Sequence, residues 1–169
     1  MRMHSVFIKE LERLRRLLIG MGISHNDGED ILQDVYLEIL QRPPKYGGLQ
    51  EKTRWLMRVT INKSMLKFRQ QRQNQRAENW ISQQSAANGK TQPSPENSVI
   101  RNEENDAMKQ CLNNMDESFK VPLVMKYFCG LNSSQISEIL ELKPGTIRKR
   151  LFQARVILAE MMLKKGVKP

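Results

Sequence analysis

Aromatic residues make up only 6% of this 169-residue chain. No segment alternates apolar and polar residues for long, so an extensive sheet is not expected. Cysteine is equally scarce. Cys111 and Cys129 form no close pair, and the two histidines, His4 and His25, lie far from them in sequence. That pattern argues against a disulfide framework and against a zinc site. Cys111 shares an apolar helical face with Met108, Leu112 and Met115, which suits a buried thiol. A secretory leader and an apolar run of about 18 residues are both missing, so a cytoplasmic protein without membrane insertion is expected. Also missing are a glycine-rich phosphate loop, a Ser–His–Asp set and a metal cluster. Neither catalysis, a cofactor, a bound metal nor a small-molecule substrate is therefore expected.

What the chain does have is positive charge. Lys and Arg number 28 against 18 Asp and Glu, a net +10. A polyanionic partner follows, nucleic acid before membrane. The cations are also segregated. Seven fall between Thr53 and Ala77 with no acid among them, and five between Lys143 and Arg155, again with none. Acids gather instead at Glu29–Glu38 and Glu96–Glu117.

Apolar periodicity predicts an all-α protein of two small helical domains joined by a flexible linker. The first domain, 1–79, has three helices. One runs from about Ser5 to Met21, lined by Phe7, Ile8, Leu11, Leu14, Leu17 and Leu18. A second, Glu29–Leu40, follows the loop His25-Asn26-Asp27-Gly28, with Asp27 as its cap. Pro43-Pro44 stops it. The third starts near Thr53 after the loop Lys45–Lys52 and carries Trp55, Leu56, Val59, Ile61, Met65, Leu66 and Phe68. Positions 80–98 contain the low-apolar run SQQSAANGKTQPSPENS and read as the linker. The second domain, 99–169, holds a helix over Asn102–Met115, another over Pro122–Phe128, and two more after Asn132.

Those last two read as a helix–turn–helix. Asn132 and Gln135 have the spacing of a capping box, Glu141-Leu142-Lys143 makes the turn, and Pro144 suits the first turn of the next helix. Ile147, Leu151, Ala154 and Leu158 then turn inward, while Arg148, Lys149, Phe152 and Gln153 share the outward face. Such a helix enters the major groove of DNA. Arg148 and Lys149 suit guanine edges, Gln153 adenine and Phe152 a thymine methyl. Arg150 and Arg155 suit flanking phosphates, and Thr146 with the amides of the helix start suits one more. The basic helix of the first domain combines Arg54, Arg58, Lys63 and Lys67 with Asn62, Trp55 and Phe68. Lacking a helix–turn–helix pattern, it reads as a face for separated strands. Asp30, Gln33, Asp34 and Leu37 form a third face, suited to docking a protein. A helix–turn–helix regulator acting without polymerase is the alternative reading.

These segments resemble the sigma-70 family of bacterial RNA polymerase sigma factors, in particular the short extracytoplasmic-function (ECF) group. EDILQDVYLEI from Glu29 and TRWLMRVTINK from Thr53 carry the likeness in the first half. VPLVMKYFCGL from Val121, ISEIL from Ile136 and GTIRKRLFQAR from Gly145 carry it in the second. Glu141 stands where the family often has Gly, and Gln153 where Arg is frequent. The resemblance implies a sigma-2-like helical bundle followed by a sigma-4-like helix–turn–helix. It implies that Asp30, Gln33, Asp34 and Leu37 dock on the β′ clamp helices of core polymerase, whose β flap is a further partner. Lys45, Lys52, Arg54, Trp55, Arg58, Asn62, Lys63 and Lys67 would melt and read the minus-ten promoter element as a single strand. The helix Thr146–Arg155 would read the minus-thirty-five element. An anti-sigma factor is implied as regulator, able to hold the protein at the membrane.

Overall fold

The computed structural model describes residues 2–45, 47–85 and 103–167. Among these residues there are seven helices and no strand: α1 (Met3–Gly20), α2 (His25–Gln41), α3 (Leu49–Ser85), α4 (Glu103–Asn114), α5 (Glu117–Tyr127), α6 (Ser133–Leu140) and α7 (Pro144–Lys164). The expected linker, 80–98, divides. Positions 80–85 continue α3, and 86–98 lie outside the described residues.

The first three helices form a bundle in which each packs on the other two. Leu14, Leu17 and Leu18 of α1 meet Ile31, Leu32 and Val35 of α2 and Leu56, Met57 and Ile61 of α3 in its core. At these helical spacings the apolar side chains fall on one face. Ile8 and Leu66, expected on apolar faces, are instead exposed. Helix α2 begins earlier than expected because its cap is Ser24, not Asp27. The Ser24 hydroxyl accepts from the Asp27 amide at 3.3 Å and donates to the Asp27 carboxylate at 3.1 Å. His25–Gly28 is thus the first turn of α2. Helix α3 likewise starts at Leu49, four positions before the expected Thr53, so Lys52 is helical.

The second half wraps α4, α5 and α6 around α7. Helix α5 starts at Glu117, ahead of Pro122, because Asp116 caps it by accepting from the Ser118 amide at 2.9 Å. Pro122 then sits inside the helix, a cost of roughly 3 kcal/mol. Burial of Val121, Leu123, Val124 and Met125 around it offsets that cost, at about 1.5–3 kcal/mol for each such side chain.

Around the turn the local signals hold. The Asn132 side chain accepts from the Gln135 amide and the Gln135 side chain accepts from the Asn132 amide, both at 2.9 Å. Glu141 closes α6 in the left-handed region (φ 55°, ψ 40°), which costs a residue with a Cβ roughly 1 kcal/mol or more. Pro144 occupies the first turn of α7, with Lys143 extended before it.

The two halves are not splayed. Helix α3 contacts α6, α1 contacts α5, and one apolar cluster runs through both halves. Gly20 lies at one close approach of the halves. A Cβ there would lie 2.5 Å from Val124 Cγ1 and 2.9 Å from Phe128 Cγ.

Candidate nucleic-acid interface

Helix α7 is anchored by Ile147, Leu151 and Ala154, all buried. Opposite that anchor, Arg148, Lys149, Phe152 and Gln153 are exposed, Phe152 to 62%. Positions i, i+1, i+4 and i+5 of a helix form one contiguous patch, and the four form it here. An exposed Phe flanked by two cations and an amide offers what a major groove asks for: cations for phosphate and guanine, an amide for adenine, an apolar edge for a thymine methyl. Thr146 and Arg150 are half-buried beside the patch. Arg155 is exposed but leans away, donating from Nη1 to the Tyr127 hydroxyl at 3.3 Å.

The residues expected on the strand-binding face do not form a single face. Along α3, successive residues turn by about 100°, so Arg54, Arg58 and Asn62 line one side with Trp55 at its edge. Lys63 and Lys67 fall on another. Those two lysines pair with α2: Lys63 Nζ lies 3.1 Å from Glu38 Oε2 and Lys67 Nζ 3.2 Å from Asp27 Oδ1. Hydrogen bonds from Lys67 and Ser24 hold the Asp27 carboxyl below its ordinary value. Arg54 and Arg58 pair across the molecule, with Glu138 at 2.9 Å and Glu141 at 3.0 Å. Asn62 is exposed and lines a cavity of about 450 Å³ between the halves, together with Arg58, Glu141 and Arg150. Lys45 is exposed in the segment before α3 and Lys52 half-buried in its first turn. Tyr46, also part of that segment, lies outside the described residues.

Asp30, Gln33, Asp34 and Leu37 are brought together as expected, all exposed along one side of α2, with Leu37 at 51%. Gln33 and Leu37 also line a cavity of about 400 Å³ with Phe7, Leu11, Leu32 and Tyr36. Glu29 is withheld from that face by Arg15, whose Nε lies 3.0 Å from Glu29 Oε1. The same bond keeps the Glu29 carboxyl below its usual range.

Sequence reasoning missed the seam between the halves. Lys120 is fully buried. Its ammonium donates to the Met21 carbonyl at 2.9 Å and sits 3.5 Å from the centre of the Phe68 ring. Desolvation, helped by Arg72, pulls its pKa down to about 8. Cys129 also faces the seam: its thiol donates to the Arg13 carbonyl at 3.8 Å, and burial pushes its pKa up to about 12. One signal was legible: Glu138 and Glu141, three apart, match the charge of Arg54 and Arg58, four apart.

Comparison with known proteins shows what the chain is similar to. Residues 105–158, spanning α4 to most of α7, match the family described as sigma-70, region 4. The chain is 22% identical over 146 residues to an ECF RNA polymerase sigma-E factor of Haemophilus influenzae, covering 83% of this chain and 77% of that one. It is 24% identical over 153 residues to an RNA polymerase sigma-H factor of Pseudomonas aeruginosa, covering 88% and 79%. Among solved structures, CnrH in complex with the cytosolic domain of CnrY superposes with a TM-score of 0.65 at 14% identity, over 95% of this chain and 86% of that one. The sigma factor RpoE in complex with the anti-sigma factor NepR from Bartonella quintana gives 0.54 at 19% identity, over 93% and 91%. With the helix–turn–helix and its outward cationic face in the matched segment, the chain resembles the sigma-70 family there, and ECF sigma factors over most of its length.

Proposed function

We propose that the protein is a transcription initiation factor, an ECF sigma factor that binds core RNA polymerase, directs it to particular promoters and helps open the DNA. The observation that carries this reading is the exposed patch Arg148, Lys149, Phe152 and Gln153 on a well-anchored α7, inside the segment that matches sigma-70 region 4. In this role α7 reads the minus-thirty-five element in the major groove, with Thr146, Arg150 and Arg155 on flanking phosphates. Arg54, Arg58 and Asn62, with Trp55 beside them, hold the separated minus-ten strand, where aromatic and cationic groups stack on and neutralise unpaired bases and phosphates. Lys45, Lys52, Lys63 and Lys67 add positive potential around that strand. Asp30, Gln33, Asp34 and Leu37 dock on the β′ clamp helices.

The protein performs no chemistry itself in this reading and works in the cytoplasm. Among the described residues no helix is long and apolar enough to cross a membrane. An anti-sigma partner is part of the proposal, supported by the likeness to RpoE, whose solved structure contains the anti-sigma factor NepR. The functional units are the halves 1–79 and 99–169. Reconstitution with core polymerase on a pool of genomic fragments tests the proposal. Specific, sigma-dependent transcripts are expected. Tight binding to duplex fragments without polymerase, with no added initiation, would overturn it in favour of a stand-alone regulator.

A further inference from the structure

Helix α3 runs on past the bundle. Phe68 is its last buried residue, and every residue from 73 to 84 is exposed. A stretch of helix that packs on nothing is marginal in water at this length. Trp80 nonetheless lies on it, 61% exposed, beside Ile81 at 57%. The charge there is ordered as well. Of the seven cations between Thr53 and Ala77, five pair with acids inside the molecule. Arg72 and Arg76 have no ion pair among the described residues, and the Arg72 guanidinium lies 5.7 Å from the centre of the Phe68 ring. At about 100° per residue, Arg72, Gln73, Arg76 and Trp80 fall in one stripe. Glu78, the one acid from 72 to 85, falls on the opposite side.

We propose that this extension is a third DNA-binding element, lying in the major groove of the duplex between the two promoter elements. A bare helix is about 10–12 Å across with its side chains, and the major groove is about 12 Å wide. The first part of α3 cannot enter it, because α1 and α2 pack on that part. The exposed segment 73–84 has no such flanks. A platform for a single strand needs a groove beside its aromatic side chains, which a free rod lacks. Arg72 and Arg76, about one turn apart, take phosphates. Trp80, one turn further, offers an apolar face to thymine methyls. Glu78 and Ile81 stay on the side away from the DNA. Between Arg58 and Arg76 α3 rises about 27 Å, the length of about eight base pairs, so the extension meets DNA beyond the opened strand. The inference rests on the proposed role with polymerase and on the assignment of Arg54 and Arg58 to the strand.

Cys111 and Cys129 are both buried, so Gln83→Cys, on the next turn of the stripe, supplies one accessible thiol for an iron–EDTA cleaver. The labelled protein is assembled with core polymerase on a promoter fragment recovered by reconstitution. Both strands of the duplex between the two elements should be cut. Arg72→Gln with Arg76→Gln should weaken the promoter complex about tenfold and reduce its salt slope by about two. Trp80→Ala, at an exposed position, should weaken it severalfold with the slope unchanged. Cutting confined to the unpaired minus-ten strand would overturn the duplex assignment in favour of a single strand. Intact DNA in complexes that still make promoter-specific transcripts would overturn the element altogether, as would wild-type affinity and slope in the arginine variant. Failure of the wild-type protein to start any specific transcript would instead sink the polymerase reading and this inference with it.

Discussion

Helices α3 and α7 both carry the cations proposed to meet nucleic acid, yet they meet the rest of the molecule in opposite ways. On α7 the cations face solvent and the apolar positions face inward, a clean division along one helix. On α3 the cations are drawn into pairs: two with α2, two with α6 and its C-cap, and Arg69 with Glu117 of α5. A face that reads duplex DNA can wait in the open, because its ligand arrives ready-made. A face for separated strands has no ligand until the duplex opens, and here acids from the same chain occupy it. The difference also bears on energetics. The α7 patch depends on burial behind it, whereas the α3 face is held by half-exposed pairs worth about 0–1 kcal/mol each.

The sharpest way to break the comparison is from behind α7. Leu151→Ala should cost about 2–5 kcal/mol of stability, seen as a lower midpoint in chemical denaturation. It should abolish duplex binding, while Leu56→Ala in the α3 core lowers stability by a similar amount and falls mainly on strand binding.

A pH series tests the seam next. Lys120 faces Arg72, Glu117, the Met21 carbonyl and the Phe68 ring. Its pKa of about 8 in the closed form lies below the ordinary value of 10.5. The closed form therefore binds this proton more weakly than the open or unfolded chain, and gains stability as pH rises from about 8 to 10.5. Cys129, raised to about 12, acts in the opposite direction above pH 9. In a Cys129→Ala background, denaturation midpoints should climb between pH 8 and 10.5, and Lys120→Met should flatten the climb. An equal climb in the Met variant would remove Lys120 from the account.

Smaller effects sharpen specificity. Arg148→Ala should cost about 1–3 kcal/mol at a single base pair of the duplex site. Competition binding across single-base variants should show this, with Cys129 protection unchanged. The smallest expected effect concerns Glu141. Replacing it with Gly relieves left-handed strain, worth roughly 1 kcal/mol, but loses the pair with Arg58. The gain should therefore be larger in an Arg58→Ala background than in the wild type, a difference readable in a double-mutant cycle.

The helix–turn–helix was legible in the sequence because its signals are local. Asn132 with Gln135, Pro144, and the inward set Ile147, Leu151 and Ala154 each act within one or two turns. The exposed stripe of Asp30, Gln33, Asp34 and Leu37 on α2 was legible for the same reason. Ends settled by competition between neighbouring caps were less so: Ser24 won over Asp27, and Asp116 placed a helix start ahead of Pro122. The strand face was half legible. Charge and spacing pointed to α3, but Arg58 meets Glu141 across 83 positions of sequence, a pairing that tertiary packing decides. Lys120 was invisible as a seam residue for that reason, since its partners, Met21 and Phe68, belong to the other half.

The central claim is that one face of this protein is open at rest and the other covered by its own chain. Alkylation of Cys129 in the initiation complex, formed with core polymerase on a promoter fragment whose minus-ten strands are separated, tests it most directly. The account predicts that Cys129 becomes reactive there at several times the rate of the free protein, because α6 has left α3. Protection equal to that of the free protein, in complexes that have opened their DNA, would contradict it.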